Sequence, residues 1–380
     1  MKKHFVALDG LRGTAALSVA ILHITGYVNG NPALFHAFMA VGFFFMLSGF
    51  VVAHAYEQRL LSDMDFMDFA KRRVVRLWPL IVAGLVLGAC YLLARNHLQP
   101  THAVTMGYLL AAIAFGLILV PLNIAVGGDG YPLDLPAWSL FFEMIANLFY
   151  AFLCRRRLIS GLVLAIIIGC SLLARLVDSH LERWDMVNHF TNRFALEITF
   201  LNGLSRVGFG FFLGVALYRY RNHRFIRRIP QLHSMVASLL LVLLFAVPPF
   251  SSNTYDLIVA GLVMPVILAA STHHDTQGLE GSICEFSGWL SYPLYVVHYP
   301  VMFAAVGAFK YLGLVDRLPE IAIEVLTLVC AIIVAYLLGK FYDQPARAWL
   351  AARIHTKPSG PHLGAADPAQ PTVTAVRKNS

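Results

Sequence analysis

The chain has 380 residues, of which 58% are hydrophobic and only 13% are charged, and its mean hydropathy is +0.67. Soluble domains carry about a quarter charged residues, so this composition excludes an ordinary soluble protein. Several apolar runs approach the roughly 20 residues that cross about 30 Å of hydrocarbon. The net charge of +8 concentrates in short loops and therefore indicates membrane orientation rather than nucleic-acid binding. The sequence predicts an all-α, polytopic transmembrane helical bundle.

The apolar runs predict about ten membrane spans plus one segment that re-enters or lies on the outer side. The spans cover roughly residues 11–27, 36–56, 77–94, 138–154, 158–176, 204–218, 232–247, 255–270, 288–312 and 321–341. The weaker run at 105–121 contains glycines and a proline and lacks a basic flank, which favours the re-entrant interpretation. Residues 1–355 are predicted to form one transmembrane domain. Residues 356–380, which lack periodicity, are predicted to form a disordered cytoplasmic tail.

Four basic clusters set the predicted orientation, because loops rich in Lys and Arg stay in the cytoplasm. They lie at residues 2–3, 71–76, 155–157 and 219–228. Ten spans place all four clusters and both termini in the cytoplasm, with the polar segment 177–201 outside. An eleven-span alternative, in which 105–121 also crosses, puts one cluster on the wrong side.

Arg12 and His23 are strongly polar residues within the first predicted span, LDGLRGTAALSVAILH. Their separation is close to three helical turns, so both lie on one face, about 16 Å apart along the axis. Taken alone, Arg12 is explained by snorkelling to the surface, and a lone core histidine is as often structural as functional. Their shared face favours function, since histidine suits proton transfer near neutral pH.

Arg73 and Arg76 lie three residues apart at the start of the third span and share a face. Such a pair serves either as a positive-inside anchor or as an anion clamp, in which guanidinium groups bind phosphate oxygens. The residues alone leave both alternatives open. Ser48 and Gly49, in the segment FFFMLSGF, are typical of close helix packing rather than chemistry.

Trp138, Ser139 and Glu143 form a W-S-L-x-x-E element at the start of a predicted span. Ser139 and Glu143 are one turn apart, and a carboxylate inside a membrane span indicates function. We expect either His23 or Arg206 to be the partner of Glu143.

Ser291, Tyr295 and His298, in the segment SYPLYVVH, follow helical spacing and line one face. Tyrosine near a membrane surface is ordinary, whereas His298 near mid-span indicates a polar cavity. The five cysteines are scattered in or beside apolar runs without a C-x-x-C motif, which predicts packing rather than disulfides or metal binding.

The chain contains five motifs: LDGLRGxAAL…H, FFxxSGF, RRxxRxxP, WSLxxE and SYxxYxxH. Together they resemble the acyltransferase 3 family of bacterial membrane acyltransferases over about residues 5–349. The resemblance implies about ten membrane helices and acyl transfer, usually O-acetylation, onto extracytoplasmic sugars, with acyl-CoA as the cytoplasmic donor. It also implies that His23 is the essential histidine, with Arg12 on the same helix and Arg73 and Arg76 as the basic pair. The chain departs from the family in having Asp343 where a Glu-x-Pro element is typical.

The expected function is therefore an integral-membrane acyltransferase that moves an acyl group, with acetyl the expected one, from acyl-CoA to a hydroxyl of an extracytoplasmic sugar or glycan. The expected location is the bacterial cytoplasmic membrane, with no nucleic-acid partner, no metal and no permanently bound cofactor. Direct transfer and an acyl-histidine relay both stay open, and a proton-coupled transporter is the alternative function. The expected catalytic residues are His23 and Glu143, and the expected donor-binding or substrate-binding residues are Arg12, Arg73, Arg76, Trp138, Ser139, Tyr295 and His298.

Overall fold

A computed structural model describes residues 4–98, 100, 103–122, 130–185, 193–248, 254–274 and 276–354, with side chains described outside 177–199 and 354. Within these residues the chain forms helices and no strand. A short helical turn at Arg224–Arg227 joins the seventh and eighth of eleven main helices. These are α1 (Val6–Asn29), α2 (Met39–Leu61), α3 (Phe66–Leu98), α4 (Met106–Leu117), α5 (Ala137–Arg155), α6 (Gly161–Asp185), α7 (Arg193–Tyr220), α8 (Ser234–Ala246), α9 (Thr254–Thr272), α10 (Gly278–Tyr311) and α11 (Glu320–Arg353).

Among the described residues, eight helices are long and apolar enough to cross a membrane: α1, α2, α3, α5, the Phe200–Tyr220 part of α7, α9, α10 and α11. The apolar helix α4, the Gly161–Leu176 part of α6, and α8 are shorter. The predicted all-α transmembrane bundle is thus confirmed. The predicted third span is part of a longer helix, because α3 begins at Phe66 and carries the basic segment 71–76 in its first turns. The predicted tail at 356–380 lies outside the described residues.

Helix α4 corresponds to the weak apolar run. Its 12 residues extend about 18 Å at 1.5 Å per residue, which is less than the hydrocarbon thickness. Leu119 then takes a positive φ of 57°, and its carbonyl accepts a hydrogen bond from the Tyr131 hydroxyl at 2.7 Å. The chain after α4 also packs into the bundle, since a Cβ atom at Gly88 of α3 would overlap the Leu133 carbonyl. These features agree with a segment that does not span the bilayer.

Helices α1 and α10 pack side by side and run in the same direction. Gly13 of α1 lies against Ser287, and Gly288 of α10 lies against Asp9, so that a Cβ atom at either glycine would overlap its neighbour. Further along both helices, His23 meets His298. Small residues let membrane helices approach closely, which supports packing where no hydrophobic driving force exists between helices. The glycines therefore bring the polar faces of α1 and α10 together.

Helices α2 and α7 show the same kind of close packing. A Cβ atom at Gly49 would overlap the Phe211 carbonyl, and one at Gly214 would overlap the Met46 carbonyl. The predicted packing role of Gly49 is thereby confirmed. The rings of Phe43, Phe45, Phe50 and Phe211 are fully buried around this contact.

Candidate active site

Polar residues of several helices meet in two cavities at the end of the bundle where α1, α3 and α10 begin and α11 ends. The first, here called the entrance cavity, has a volume of about 210 Å³ and is lined by His4, Asp9, Arg12, His54, Arg76, Glu285, Trp289, Tyr292, Asp343, Arg347 and several apolar residues. The second, the central cavity, measures about 80 Å³ and is lined by Arg12, Ser48, Arg73, Arg76, Ser139, Glu143, Ser291, Tyr292, Tyr295 and apolar residues. Four residues line both cavities: Arg12, Val51, Arg76 and Tyr292. The two cavities are therefore adjacent.

The guanidinium groups of the entrance cavity differ in their partners. Arg12 pairs with Asp9 at 3.3 Å, and Arg347 donates to Asp343 at 2.8 Å. Arg76 has no ion pair among the described residues and faces both cavities. Its charge is thus the one most available to an anionic ligand, because the others are partly neutralised.

His4 adds a titratable cation at the rim of the entrance cavity, before the first turn of α1. Its Nε2 atom lies 2.9 Å from the Asp9 carboxylate. This hydrogen bond raises the pKa of the His4 imidazole and outweighs the opposing effect of burial. The rim therefore becomes more positive as pH falls.

Arg73 and Glu143 form an ion pair in the wall of the central cavity. Arg73 Nη2 lies 2.9 Å from Glu143 Oε1, and the Ser48 hydroxyl donates to the same oxygen at 2.6 Å. The Arg73 side chain is only 3% exposed and that of Glu143 17%. The cluster joins α2, α3 and α5 through one carboxylate oxygen.

This geometry corrects two predictions. Neither His23 nor Arg206 is the partner of Glu143, because the start of α3 delivers Arg73 to it instead; Arg206 donates to the Asn202 side chain on its own helix. The sequence predicts a packing role for Ser48, but the Ser48 hydroxyl contributes a hydrogen bond to the polar cluster. The basic pair also divides, since Arg73 is neutralised within the wall while Arg76 faces both cavities.

Ser139 and Tyr295 connect α5 with α10 across the central cavity. Their hydroxyl oxygens are 2.7 Å apart. Ser139 also lies 2.9 Å from the Pro136 carbonyl, which can only accept, so Ser139 donates there and accepts from Tyr295. Trp138, the neighbour of Ser139, instead packs edge-on against Phe45 and Phe142 and lines neither cavity.

His23 and His298 form a hydrogen-bonded pair one turn beyond Tyr295. His23 Nδ1 and His298 Nε2 are 2.9 Å apart, and the rings are nearly parallel, at 5°. His298 Nδ1 lies 3.0 Å from the Leu294 carbonyl. A carbonyl only accepts, so His298 carries its proton on Nδ1 and presents an unprotonated Nε2 in the neutral state.

The tautomer of His23 follows from that of His298. His23 Nδ1 must donate to His298 Nε2, which leaves the lone pair of neutral His23 on Nε2. The Nε2 atom of His23 is therefore the base of the pair. His298 is fully buried, so it acts through His23 rather than by touching a substrate.

The structure thus brings most of the predicted residues into one polar column. Six of them line the central cavity: Arg12, Arg73, Arg76, Ser139, Glu143 and Tyr295. His23 and His298 continue the column beyond Tyr295 without lining either cavity. Arg12 and His23 mark its two ends on α1, about 16 Å apart at 1.5 Å per residue.

Some polar groups of this region were missed from the sequence. Tyr292 lines both cavities and donates to the Leu77 carbonyl at 2.7 Å. Asp134, in the loop before α5, is 2% exposed, and its Oδ1 atom has no hydrogen-bond partner among the described residues. The available signal for Asp134 was a carboxylate within the Pro-flanked segment YPLDLP. Arg347 was also missed, and its signal was the i, i+4 spacing from the opposite charge of Asp343.

The fold and the site define a polytopic membrane protein that encloses a charged cavity and a histidine pair. A family model described as "Acyltransferase domain" matches residues 5–340, and the chain belongs to this family, acyltransferase 3. The resemblance found in the motifs is thereby confirmed. Family membership favours acyl transfer over the transporter alternative.

Two curated relatives are similar to parts of the chain. "Protein 2 in picA locus" of Rhizobium radiobacter is 37% identical over 158 residues, which cover 39% of this chain and 82% of that protein. "Exopolysaccharide production protein ExoZ" of Rhizobium meliloti (strain 1021) is 31% identical over 135 residues, which cover 34% of this chain and 40% of that protein. No solved structure matches the chain.

Proposed function

We propose that the protein transfers an acyl group, with acetyl the expected one, from acyl-CoA to a hydroxyl of an extracytoplasmic sugar or glycan. The observation that carries the proposal is the histidine pair at one end of a polar column whose other end holds Arg12 and Arg76. An acyltransferase needs a base for the acceptor proton and a site for an anionic donor, and the column offers both. The relative named as an exopolysaccharide production protein supports a glycan acceptor.

The proposed location is the bacterial cytoplasmic membrane with both termini in the cytoplasm. In this orientation the entrance cavity opens to the cytoplasm, where acyl-CoA is found. The cluster at 71–76 and the N terminus then lie on the same side, as the positive-inside rule requires. His23, further along α1, lies closer to the opposite surface, from which a glycan would arrive.

Arg76 and Arg12 are the proposed contacts for the phosphates of coenzyme A. Guanidinium groups bind phosphate oxygens bidentately, and Arg76 has no carboxylate partner among the described residues. The donor would extend along the apolar wall of the central cavity, past Val51 and Leu77. The distance of about 16 Å between Arg12 and His23 suits a donor whose anionic end and thioester are far apart.

His23 is the proposed general base. The acceptor oxygen attacks the thioester carbonyl carbon, a C–O bond forms and the C–S bond breaks. The hydroxyl proton passes to His23 Nε2 and then to the departing coenzyme A thiolate. His298 holds His23 in the tautomer that leaves Nε2 free to accept this proton.

Arg73 and Glu143 are proposed to shape the cavity rather than to react. Each satisfies the charge of the other, and Ser48 holds the carboxylate. The pair fixes α3 against α5, and α5 carries Ser139 into the cavity. Glu143, expected from the sequence to be catalytic, thus acts by holding the site in place.

The proposal is tested with purified protein in detergent, acetyl-CoA labelled in the acetyl group and a soluble sugar acceptor. We expect free coenzyme A and labelled sugar ester in equal amounts. Rapid denaturation in the cold at neutral pH, before acceptor is added, separates the two routes, because an acyl-imidazole hydrolyses in acid. Label retained on the protein then indicates an acyl-histidine intermediate, and its absence indicates direct transfer. Movement of substrate across reconstituted vesicles without thioester cleavage contradicts the proposal and indicates a carrier.

A further inference from the structure

A second cluster of titratable side chains lies apart from both cavities, where α8 and α10 begin and α9 ends. His233 immediately precedes α8, His274 follows α9, and Glu280 lies in the first turn of α10. The Nε2 atom of His233 is 3.0 Å from Glu280 Oε2, and that of His274 is 3.6 Å from the same oxygen. One atom of each residue lies within 4.8 Å of the corresponding atoms of the other two.

These separations suit a shared cation. In a tetrahedral zinc site with bonds of about 2.0–2.1 Å, neighbouring ligand atoms are roughly 3.3 Å apart. The two imidazole–carboxylate distances lie on either side of that value. A small closing movement of the two rings would therefore complete three of four coordination positions.

The surroundings of the carboxylate favour the same arrangement. The Ser234 hydroxyl donates to Glu280 Oε1, which fixes the carboxylate and leaves Oε2 facing both imidazoles. Such hydrogen bonds to a ligating carboxylate are typical of metal sites. The Nε2 atom of His274 is buried and has no hydrogen-bond partner among the described residues, and its separation of 3.6 Å from Glu280 Oε2 leaves room for an ion that both atoms could contact.

We propose that His233, His274 and Glu280 bind one divalent transition-metal ion, with Zn²⁺ the best match to two imidazoles and a carboxylate. The His233 side chain is 52% exposed, so the fourth position is open to a water molecule. The ion would tie the start of α10 to the start of α8 and to the end of α9. Because α10 also carries Tyr292, Tyr295 and His298, the ion would stabilise the helix that forms one wall of the active site.

The proposal is tested by zinc binding to the full-length protein, purified through a tag other than polyhistidine. A chromophoric chelator competes for Zn²⁺, so that affinity and stoichiometry are read directly and no acyl-transfer assay is needed. We expect one ion per chain, and at least tenfold weaker binding for His233→Ala, His274→Ala and Glu280→Gln. His273→Ala is the matched control, because His273 lies beside His274 but outside the cluster, and it should bind as wild type does.

Thermal unfolding provides a second measurement that does not depend on the chelator. An ion that binds only the folded state raises the unfolding temperature, so Zn²⁺ should raise it for wild type and His273→Ala but not for His233→Ala. His233 is half exposed, and its replacement leaves the Ser234–Glu280 hydrogen bond in place, so this variant should fold. Wild-type protein that binds no Zn²⁺, or variants that bind as tightly as wild type, would overturn the proposal, whatever the outcome for acyl transfer.

Discussion

The ion pair between Arg73 and Glu143 gives a quantitative test of how the central cavity is held together. Removing one partner of a buried pair costs about 3–5 kcal/mol, because the remaining charge is left unpaired. Glu143→Ala leaves Arg73, which is 3% exposed, and should fall near the upper end of that range. Arg73→Ala leaves Glu143, which is 17% exposed and keeps its bond from Ser48, and should fall near the lower end.

The double variant distinguishes pairing from two independent effects. With both charges removed, no unpaired charge remains, so the double variant should be no less stable than Glu143→Ala alone. Its loss of stability should therefore fall short of the sum of the single losses by about 3 kcal/mol or more. The free energy of unfolding would be measured by denaturant titration in mixed detergent micelles, with helicity followed by circular dichroism. Arg76→Ala is the matched control, and it should change stability by less than about 1 kcal/mol, since Arg76 faces the two cavities and has no ion pair to lose among the described residues.

Additive losses in the double variant would refute this reasoning. An Arg76→Ala variant as unstable as Arg73→Ala would also refute it, because Arg73 in the cavity wall and Arg76 facing the cavities would then not differ in environment. Equal losses for the two single variants would refute only the ranking by exposure.

Three further outcomes are expected. Arg76→Ala should weaken acyl-CoA binding about tenfold or more, because it removes one charge-assisted contact worth roughly 1.5–3 kcal/mol. Arg76→Lys should recover only part of the lost affinity. Unchanged affinity in a binding titration would make Arg76 a topology anchor. His298→Ala should lower kcat about 10–100-fold with little change in the KM for the donor, by analogy with residues that orient a metal-ligating histidine. His298→Gln should recover part of the rate, because its amide oxygen can accept a hydrogen bond from His23. A change confined to KM would rule out a positioning role. In a cysteine-free background, a single cysteine at position 223 should react with an impermeant thiol reagent only after cells are permeabilised. A single cysteine at position 188 should react in intact cells. Labelling of position 223 in intact cells would contradict the proposed orientation.

The membrane spans could be predicted because each leaves a local signal in the sequence. A long apolar run is sufficient to indicate a helix in lipid, since every backbone polar group must be satisfied within the segment. The short helix α4 and the start of α3 at Phe66 were harder to predict, because amphipathic first turns and short helices depend on their neighbours. Helical spacing also placed Tyr295 and His298 correctly on one face of α10.

The partners within the site could not be predicted, because they join residues that are distant in the chain. The partner of Glu143 is Arg73 rather than His23 or Arg206, and the choice depends on how α3 is rotated against α5. The contact between His23 and His298 depends on the parallel approach of α1 and α10, which the glycines at their interface permit. Spacing along one helix gives a face, but it does not give the helix that this face meets.

The rate of acyl transfer by His23 variants tests the proposed mechanism most directly. Purified His23→Ala and His23→Gln, shown by gel filtration in detergent to be folded, would be compared with wild type at saturating labelled acetyl-CoA and sugar acceptor. Loss of a general base costs about 10²–10⁴-fold in rate, so we predict at least a hundredfold loss in both variants with donor binding retained. Turnover close to that of wild type in either variant would contradict the assignment of His23 as the base.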